Sequence, residues 1–160
     1  MKRILPFFLV VLLSACATQK YTPVINEDFK ISAIYRTGGF SYSCDIEKQG
    51  DTVYITPTST RAKGLVISCN GREVTLKRKS FEKTFSIKDI DKTNPAIILY
   101  QVFTSLGDAK TQLIEGDFTY TGNCSLGKYI LKQRKDNSIV SLEIPQADIQ
   151  IMIYRGGDKS

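Results

Sequence analysis

The sequence contains neither histidine nor tryptophan. Without histidine, the chain cannot build a Ser-His or Cys-His nucleophilic site, a histidine-ligated zinc site or a histidine pH switch. It also lacks a G-x-S-x-G nucleophile elbow, a P-loop and any pair of cysteines at C-x-x-C spacing. We therefore predict no metal site and no cofactor, and we favour a binding function over catalysis.

A carboxylate pair or a Ser/Lys dyad would be the remaining route to catalysis in such a chain. The pairs considered are Asp89 with Asp91 and Glu143 with Asp148. Two acids at such close spacing are common on exposed faces and loops, so neither pair is expected to be catalytic. The protein is accordingly predicted not to be an enzyme.

Cysteine is scarce, with four residues in 160. Cys44 and Cys69 each fall on the apolar positions of the alternating pattern in their predicted strands. A small buried hydrophobic residue is expected at such positions. We favour buried free thiols for Cys44, Cys69 and Cys124. A Cys44–Cys69 or a Cys69–Cys124 disulfide stays open as the alternative for an exported protein.

Long apolar runs are absent except near the N-terminus, from Ile4 to Leu13. That run is too short for a transmembrane helix, which needs about 20 residues. It follows the basic pair Lys2-Arg3 and precedes small residues, which is the pattern of a secretory signal peptide. We assign residues 1–15 to this signal, and its removal lowers the formal charge from +6 to +4.

The end of this signal reads Leu13-Ser14-Ala15-Cys16 and resembles the lipobox of bacterial lipoproteins. The resemblance implies that Cys16 is lipidated and becomes the new N-terminus. The protein would then be anchored outside the cytoplasm, to the cell membrane or to an outer membrane. Residues 16–27 would form a polar tether, and attachment by two or more acyl chains would be stable.

The remaining chain is long enough for one domain, which we place at residues 28–154, with a flexible tail at 155–160. Its mild positive charge suits a surface near anionic lipids or wall polymers, and does not suggest nucleic-acid binding. The densest basic run is Lys77-Arg78-Lys79 with Lys83 nearby. It is either the solvated face of a strand or a patch facing a membrane or an anionic ligand. A monomer is expected.

Alternation of apolar and polar residues dominates the predicted domain. It runs through Phe29–Tyr35, Phe40–Ile46 and Ala147–Ile153, and Asn70-Gly71 marks a hairpin turn. Lys135-Asp136-Asn137 marks a further hairpin. These signals predict seven to ten antiparallel strands.

One segment breaks this pattern and predicts a helix. Asn94 is suited to the N-cap, Pro95 to the first helical position, and Gly107 to the end. The residues between are apolar on most sides, so the helix should be buried. The predicted fold is therefore α+β and β-dominated, with a single strongly curved antiparallel sheet packed on one central helix.

The order of exported lipoprotein, antiparallel meander, central helix and closing hairpin resembles the lipoprotein-carrier and outer-membrane lipoprotein-sorting superfamily. That resemblance implies an incomplete barrel whose concave face holds acyl chains.

A groove between helix and sheet would be lined by apolar residues from both. The candidate ligand contacts are Ile97, Ile98, Val102 and Phe103 from the helix, and Phe40, Tyr42, Ile149 and Ile151 from the sheet. The alternative is that these residues are simply a filled core. The competing function is a surface module that binds another envelope protein or wall polymer through the loop Pro57–Lys63 or the basic hairpin.

Overall fold

The computed structural model describes residues 28–154. The predicted signal peptide, the lipidation site Cys16, the tether and the C-terminal tail lie outside the described residues.

The described part of the chain contains eleven β-strands, one α-helix and three short 3-10 turns. The strand bounds are β1 Phe29–Thr37, β2 Phe40–Gln49, β3 Thr52–Pro57, β4 Val66–Cys69, β5 Glu73–Arg78, β6 Phe81–Ser86, β7 Lys110–Ile114, β8 Asp117–Cys124, β9 Gly127–Gln133, β10 Ile139–Ile144 and β11 Ile149–Tyr154. The expected range of seven to ten strands was therefore too low.

All eleven strands belong to one antiparallel sheet, in the order β6-β5-β4-β3-β2-β1-β11-β10-β9-β8-β7. The order consists of two meanders, β1 to β6 and β7 to β11, which meet where the first strand pairs with the last. Strands β6 and β7 are consequently the two free edges, and the sheet does not close into a barrel. The segment between them carries the helix.

Helix α1 spans Pro95–Ser105 and begins as predicted. The Asn94 side-chain oxygen accepts a hydrogen bond from the backbone N–H of Ala96 at 3.0 Å, and Pro95 occupies the first turn. The α-helix ends at Ser105 and a 3-10 turn, Leu106–Asp108, follows it. Gly107 lies in that turn, close to the predicted end.

The helix packs across the curved sheet and contacts β3 and β4 in one meander and β8 in the other. Near the C-terminal end of the helix, the ring of Phe103 meets that of Phe29 edge to face, with centroids 5.3 Å apart. One continuous core therefore joins helix and sheet, and it contains residues of both meanders. This arrangement confirms the predicted fold class.

The predicted turn at Asn70-Gly71 lies against the helix. The Asn70 side chain accepts hydrogen bonds from the backbone N–H groups of Arg72 and Glu73, at 3.0 and 2.8 Å. Gly71 has a φ of +85°, and a Cβ atom there would overlap the Tyr100 hydroxyl group. Both the backbone angle and the close approach of α1 therefore require glycine.

A buried side-chain amide stabilises the hairpin between β9 and β10. The sequence predicted this hairpin from its turn, Lys135-Asp136-Asn137. Gln133 is only 1% exposed. Its side-chain oxygen accepts a hydrogen bond from the Tyr120 hydroxyl at 3.0 Å, and its nitrogen donates to the Asn137 carbonyl at 2.8 Å. The amide is thus paired at both ends, as a buried polar group must be.

The three cysteines of the described chain are free thiols. Cys44 and Cys69 are buried and Cys124 is half-buried. The favoured interpretation of buried free thiols is confirmed for Cys44 and Cys69, and neither of the alternative disulfides is formed. Among residues 28–154, no helix is long and apolar enough to cross a membrane.

Candidate ligand cleft

The strand register brings three of the candidate contacts, Phe40, Tyr42 and Ile149, to one end of the sheet. Thr37 ends β1, and it pairs with Phe40 at the start of β2 and with Ile149 at the start of β11. The segment that precedes α1 crosses this end of the sheet. A cleft of about 360 Å³ lies between the two, lined by Tyr35, Thr37, Tyr42, Thr93, Pro95, Ala147 and Ile149.

Among residues 28–154, no charged side chain lines the cleft. Its polar lining residues are two tyrosines and two threonines, and its other lining residues are apolar. Pockets for small ligands typically measure about 300–1,000 Å³ and combine apolar walls with a few polar groups. The cleft is therefore suited to an apolar or uncharged group and offers no ion-pairing partner.

Two stacked tyrosines form one wall of the cleft. The rings of Tyr35 and Tyr42 face each other across the β1–β2 pair, with centroids 5.2 Å apart and an interplanar angle of 25°. The centroid of the Phe40 ring lies 5.8 Å from the centroid of the Tyr42 ring. These contacts hold the two tyrosine rings side by side and make the wall aromatic.

Burial favours the neutral form of the two tyrosines in this wall and of the nearby Cys44. It raises the pKa of Tyr35 to about 12, with a smaller contribution from the nearby Cys44. It also raises the pKa of Tyr42, and it raises the pKa of the Cys44 thiol to about 12. The reactive form of a cysteine is the thiolate, so Cys44 is not activated for nucleophilic attack.

The opposite wall is fixed by a turn before the helix. The backbone N–H and the hydroxyl of Thr93 both donate to the Asp91 carboxylate at 2.8 Å. These hydrogen bonds lower the pKa of Asp91. Asp91 thus stabilises the turn that carries Thr93, which accounts for one of the acids considered from the sequence. Within residues 28–154, no cluster of three or more acidic or cysteine side chains could hold a metal ion.

The eight candidate contact residues fall into two groups. Tyr42 and Ile149 line the cleft, and Phe40 lies on its rim against Tyr42. The other five, which are buried in the core and do not line the cleft, are Ile97, Ile98, Val102, Phe103 and Ile151.

Sequence reasoning missed five of the lining residues: Tyr35, Thr37, Thr93, Pro95 and Ala147. A signal existed for two of them. The alternation on both sides of Gly38-Gly39 predicts a β1–β2 hairpin, and its register places Tyr35 opposite Tyr42 and Thr37 beside the turn. The other three reach the cleft through the β1–β11 pairing and the path of the chain into α1. No local pattern encodes either feature.

No family model and no curated protein sequence matches the chain. Among solved structures, it is similar to a LolA superfamily protein from Nitrosomonas europaea, with 11% identity and a TM-score of 0.39, over 81% of this chain and 84% of that one. It is also similar to the lipoprotein LppX of Mycobacterium tuberculosis, with 15% identity and a TM-score of 0.35, over 93% and 94% of the two chains. Both TM-scores are below 0.5, so the fold class stands on the strand order and helix packing described above.

Proposed function

We propose that the protein is an envelope lipoprotein, anchored outside the cytoplasm through Cys16, whose β-rich domain binds the apolar part of a lipid without catalysis. The observation that carries the proposal is the uncharged cleft at one end of the curved sheet. Two of its lining residues, Tyr35 and Ile149, also belong to the hydrophobic core. A ligand in the cleft would therefore contact the core directly.

The depth of binding depends on helix α1. The side chains Ile97, Ile98 and Val102 are almost completely buried between helix and sheet. An acyl chain longer than the cleft would have to separate α1 from the sheet, and would then meet these residues. Each buried methylene contributes about 0.8 kcal/mol, so a chain of several carbons would offset part of the lost packing.

The cleft is tested by filling it. Thr37 lies at its edge and is only half-buried, so Thr37→Trp adds a large ring there without replacing a core residue. We expect wild-type protein to retain lipid in native mass spectrometry and to bind a fluorescent fatty acid, and Thr37→Trp to reduce both at least tenfold. The control is Thr111→Trp, the same change at a half-buried threonine of edge strand β7.

Two results would count against the proposed lipid site. One is a wild-type protein that neither carries lipid nor binds the probe. The other is an equal loss in the Thr37→Trp and Thr111→Trp variants. The anchor is tested separately, because a diacylglyceryl modification adds its mass to the peptide that begins with Cys16. An unmodified Cys16 in protein isolated from its native host would refute the anchor and leave the cleft untouched.

The second candidate function is an interaction module for another envelope protein or a wall polymer. It is favoured by the loop between β3 and β4, in which Arg61 and Lys63 are both exposed. This candidate predicts an empty cleft and unchanged partner binding in the Thr37→Trp variant. The same pair of threonine variants therefore separates the two functions.

A further inference from the structure

Three turns of the first meander lie at one end of the sheet. Adjacent strands are antiparallel, so the turns after β1, β3 and β5 share one end, and the turns after β2 and β4 share the other. We call the first set the basic end and define it as residues 37–40, 57–65 and 77–83. The ligand cleft lies at this same end, since Thr37 is one of its lining residues.

Positive charge is concentrated at the basic end. Its six basic residues, all exposed, are Arg61, Lys63, Lys77, Arg78, Lys79 and Lys83. Its single acidic residue is Glu82, whose carboxylate lies 3.1 Å from the Lys77 ammonium group. This end therefore has a formal charge of +5. The whole mature chain has only +4, so the rest of it is close to neutral.

Two exposed aromatic residues lie at the same end of the sheet. Phe40 and Phe81 are 58% and 56% exposed, more than any other large apolar residue of the described chain. Phe40 follows the turn after β1, and Phe81 follows the turn after β5, among the basic residues. The tip that carries Phe81 thus combines exposed apolar surface with a positive surrounding, and Phe40 adds exposed apolar surface at the same end of the sheet.

We propose that the basic end docks onto an anionic bilayer, with Phe81 and Phe40 entering the headgroup region. Basic residues near an anionic leaflet are attracted to it, and exposed apolar rings add buried area at the interface. An anionic polymer would satisfy the charges equally well, but it would leave both rings in water. The pairing of rings with charges is the reason to assign a bilayer.

The proposed anchor permits this orientation. The tether of residues 16–27 has 12 residues and can extend about 40 Å at 3.3–3.6 Å per residue. Strand β1 has nine residues and is about 30 Å long. The tether enters at the far end of β1 from Thr37, and it is long enough to run back past the strand. Docking would then place the mouth of the cleft at the membrane surface.

The test uses the absence of natural tryptophan. In the full-length Phe81→Trp protein, the new residue is the only tryptophan and reports the polarity around position 81. We expect its emission to shift to the blue and to be quenched by brominated acyl chains in phosphatidylglycerol vesicles, and not in phosphatidylcholine vesicles. Leu113→Trp is the control, because Leu113 is 51% exposed but lies on the opposite edge strand.

Charge variants in the Phe81→Trp background test the electrostatic part. Replacing Arg78, Lys79 and Lys83 by glutamine should weaken docking on phosphatidylglycerol about a hundredfold, since each basic residue near an anionic surface contributes about a fivefold effect. The matched control replaces Lys128, Lys132 and Arg134 by glutamine. These residues are exposed on the second meander, and their replacement removes the same amount of charge.

Three outcomes of the vesicle experiments would overturn docking. They are a Phe81→Trp signal that is equal in both kinds of vesicle, a Leu113→Trp signal as large as that of Phe81→Trp, and equal losses in the two triple variants. A soluble anionic polymer that shifts neither emission nor quenching supports the bilayer. A blue shift of the Phe81→Trp emission when the polymer is added without vesicles refutes docking onto a bilayer. An empty cleft in mass spectrometry would refute the lipid site without affecting any of these measurements.

Discussion

At the scale of single residues, the sequence shows local features such as the start of a helix or a turn. It does not show which side chains from distant segments come into contact. Asn94 and Pro95 could be read as a helix start because both act locally, through the capping bond and the fixed φ. Gly71 could be read only as a turn residue. Its contact with Tyr100 joins two segments far apart in the chain, and the sequence carries no pattern for such a contact.

Gly71→Ala is expected to lower the free energy of unfolding by about 2–4 kcal/mol. The change combines an unfavourable positive φ with an overlap against the Tyr100 ring, and each effect costs about 1–2 kcal/mol. Urea denaturation measures the loss. The control is Gly116→Ala, which has a φ of +93° but no neighbour for the added carbon. Equal losses in the two variants would show that the helix contact contributes nothing.

Alkaline pH should destabilise the domain from about pH 9 upward. Burial raises the pKa of Cys44 from 9.0 to about 12, and that of Tyr35 from 10.0 to about 12. The unfolded chain therefore loses these protons first, and stability that is complete below pH 9 is lost as the pH rises towards 12. In Cys44→Ala, urea denaturation at pH 8 and pH 10 should give a shallower decline than in wild type. An identical decline in the two proteins would contradict this account.

At the scale of elements, interior strands were predictable and edge strands were not. Strands β1 and β2 alternate because one face is buried, and that parity is visible in the sequence. The sheet edges, β6 and β7, carry no such signal. On both faces of these two strands most side chains are exposed, so burial imposes no alternation of apolar and polar residues on their sequences. They are strands because a neighbouring strand pairs with each of them.

The β9–β10 hairpin should depend on the buried amide of Gln133. Gln133→Leu keeps the volume but leaves the Tyr120 hydroxyl and the Asn137 carbonyl without their partner. The Tyr120 hydroxyl is buried and would lose its partner at a cost of about 1–3 kcal/mol, whereas Asn137 is exposed and its carbonyl can bond to water. We therefore expect a loss of about 1–3 kcal/mol in thermal or urea unfolding. Gln112→Leu, at an exposed position of β7, is the matched control and should change stability by less than about 0.5 kcal/mol. A Gln133→Leu protein as stable as the control would mean that the amide is replaceable.

At the scale of the whole molecule, the unpredicted feature is the central pairing of β1 with β11. It joins the two ends of the domain in the middle of the sheet and places Ile149 beside Thr37. The local signals predicted an antiparallel meander, a helix and a closing hairpin, but no turn residue or apolar alternation states how the strands before the helix pair with those after it. The cleft depends on this pairing, so only part of its lining could be predicted.

The same topology predicts how the domain opens. Strands β1 and β11 are each flanked on both sides, and their residues Ala33 and Ile151 are buried in the core, whereas β6 and β7 have one free edge and few buried side chains. Backbone amides of β1 and β11 should therefore exchange with solvent only through global unfolding, and those of the edge strands through local opening. Native-state hydrogen exchange monitored by NMR measures both. If helix α1 separates from the sheet when an acyl chain enters, added lipid should lower protection in α1 and leave that of β1 and β11 unchanged. Protection lost first from the central pair would show that the two meanders open as separate units.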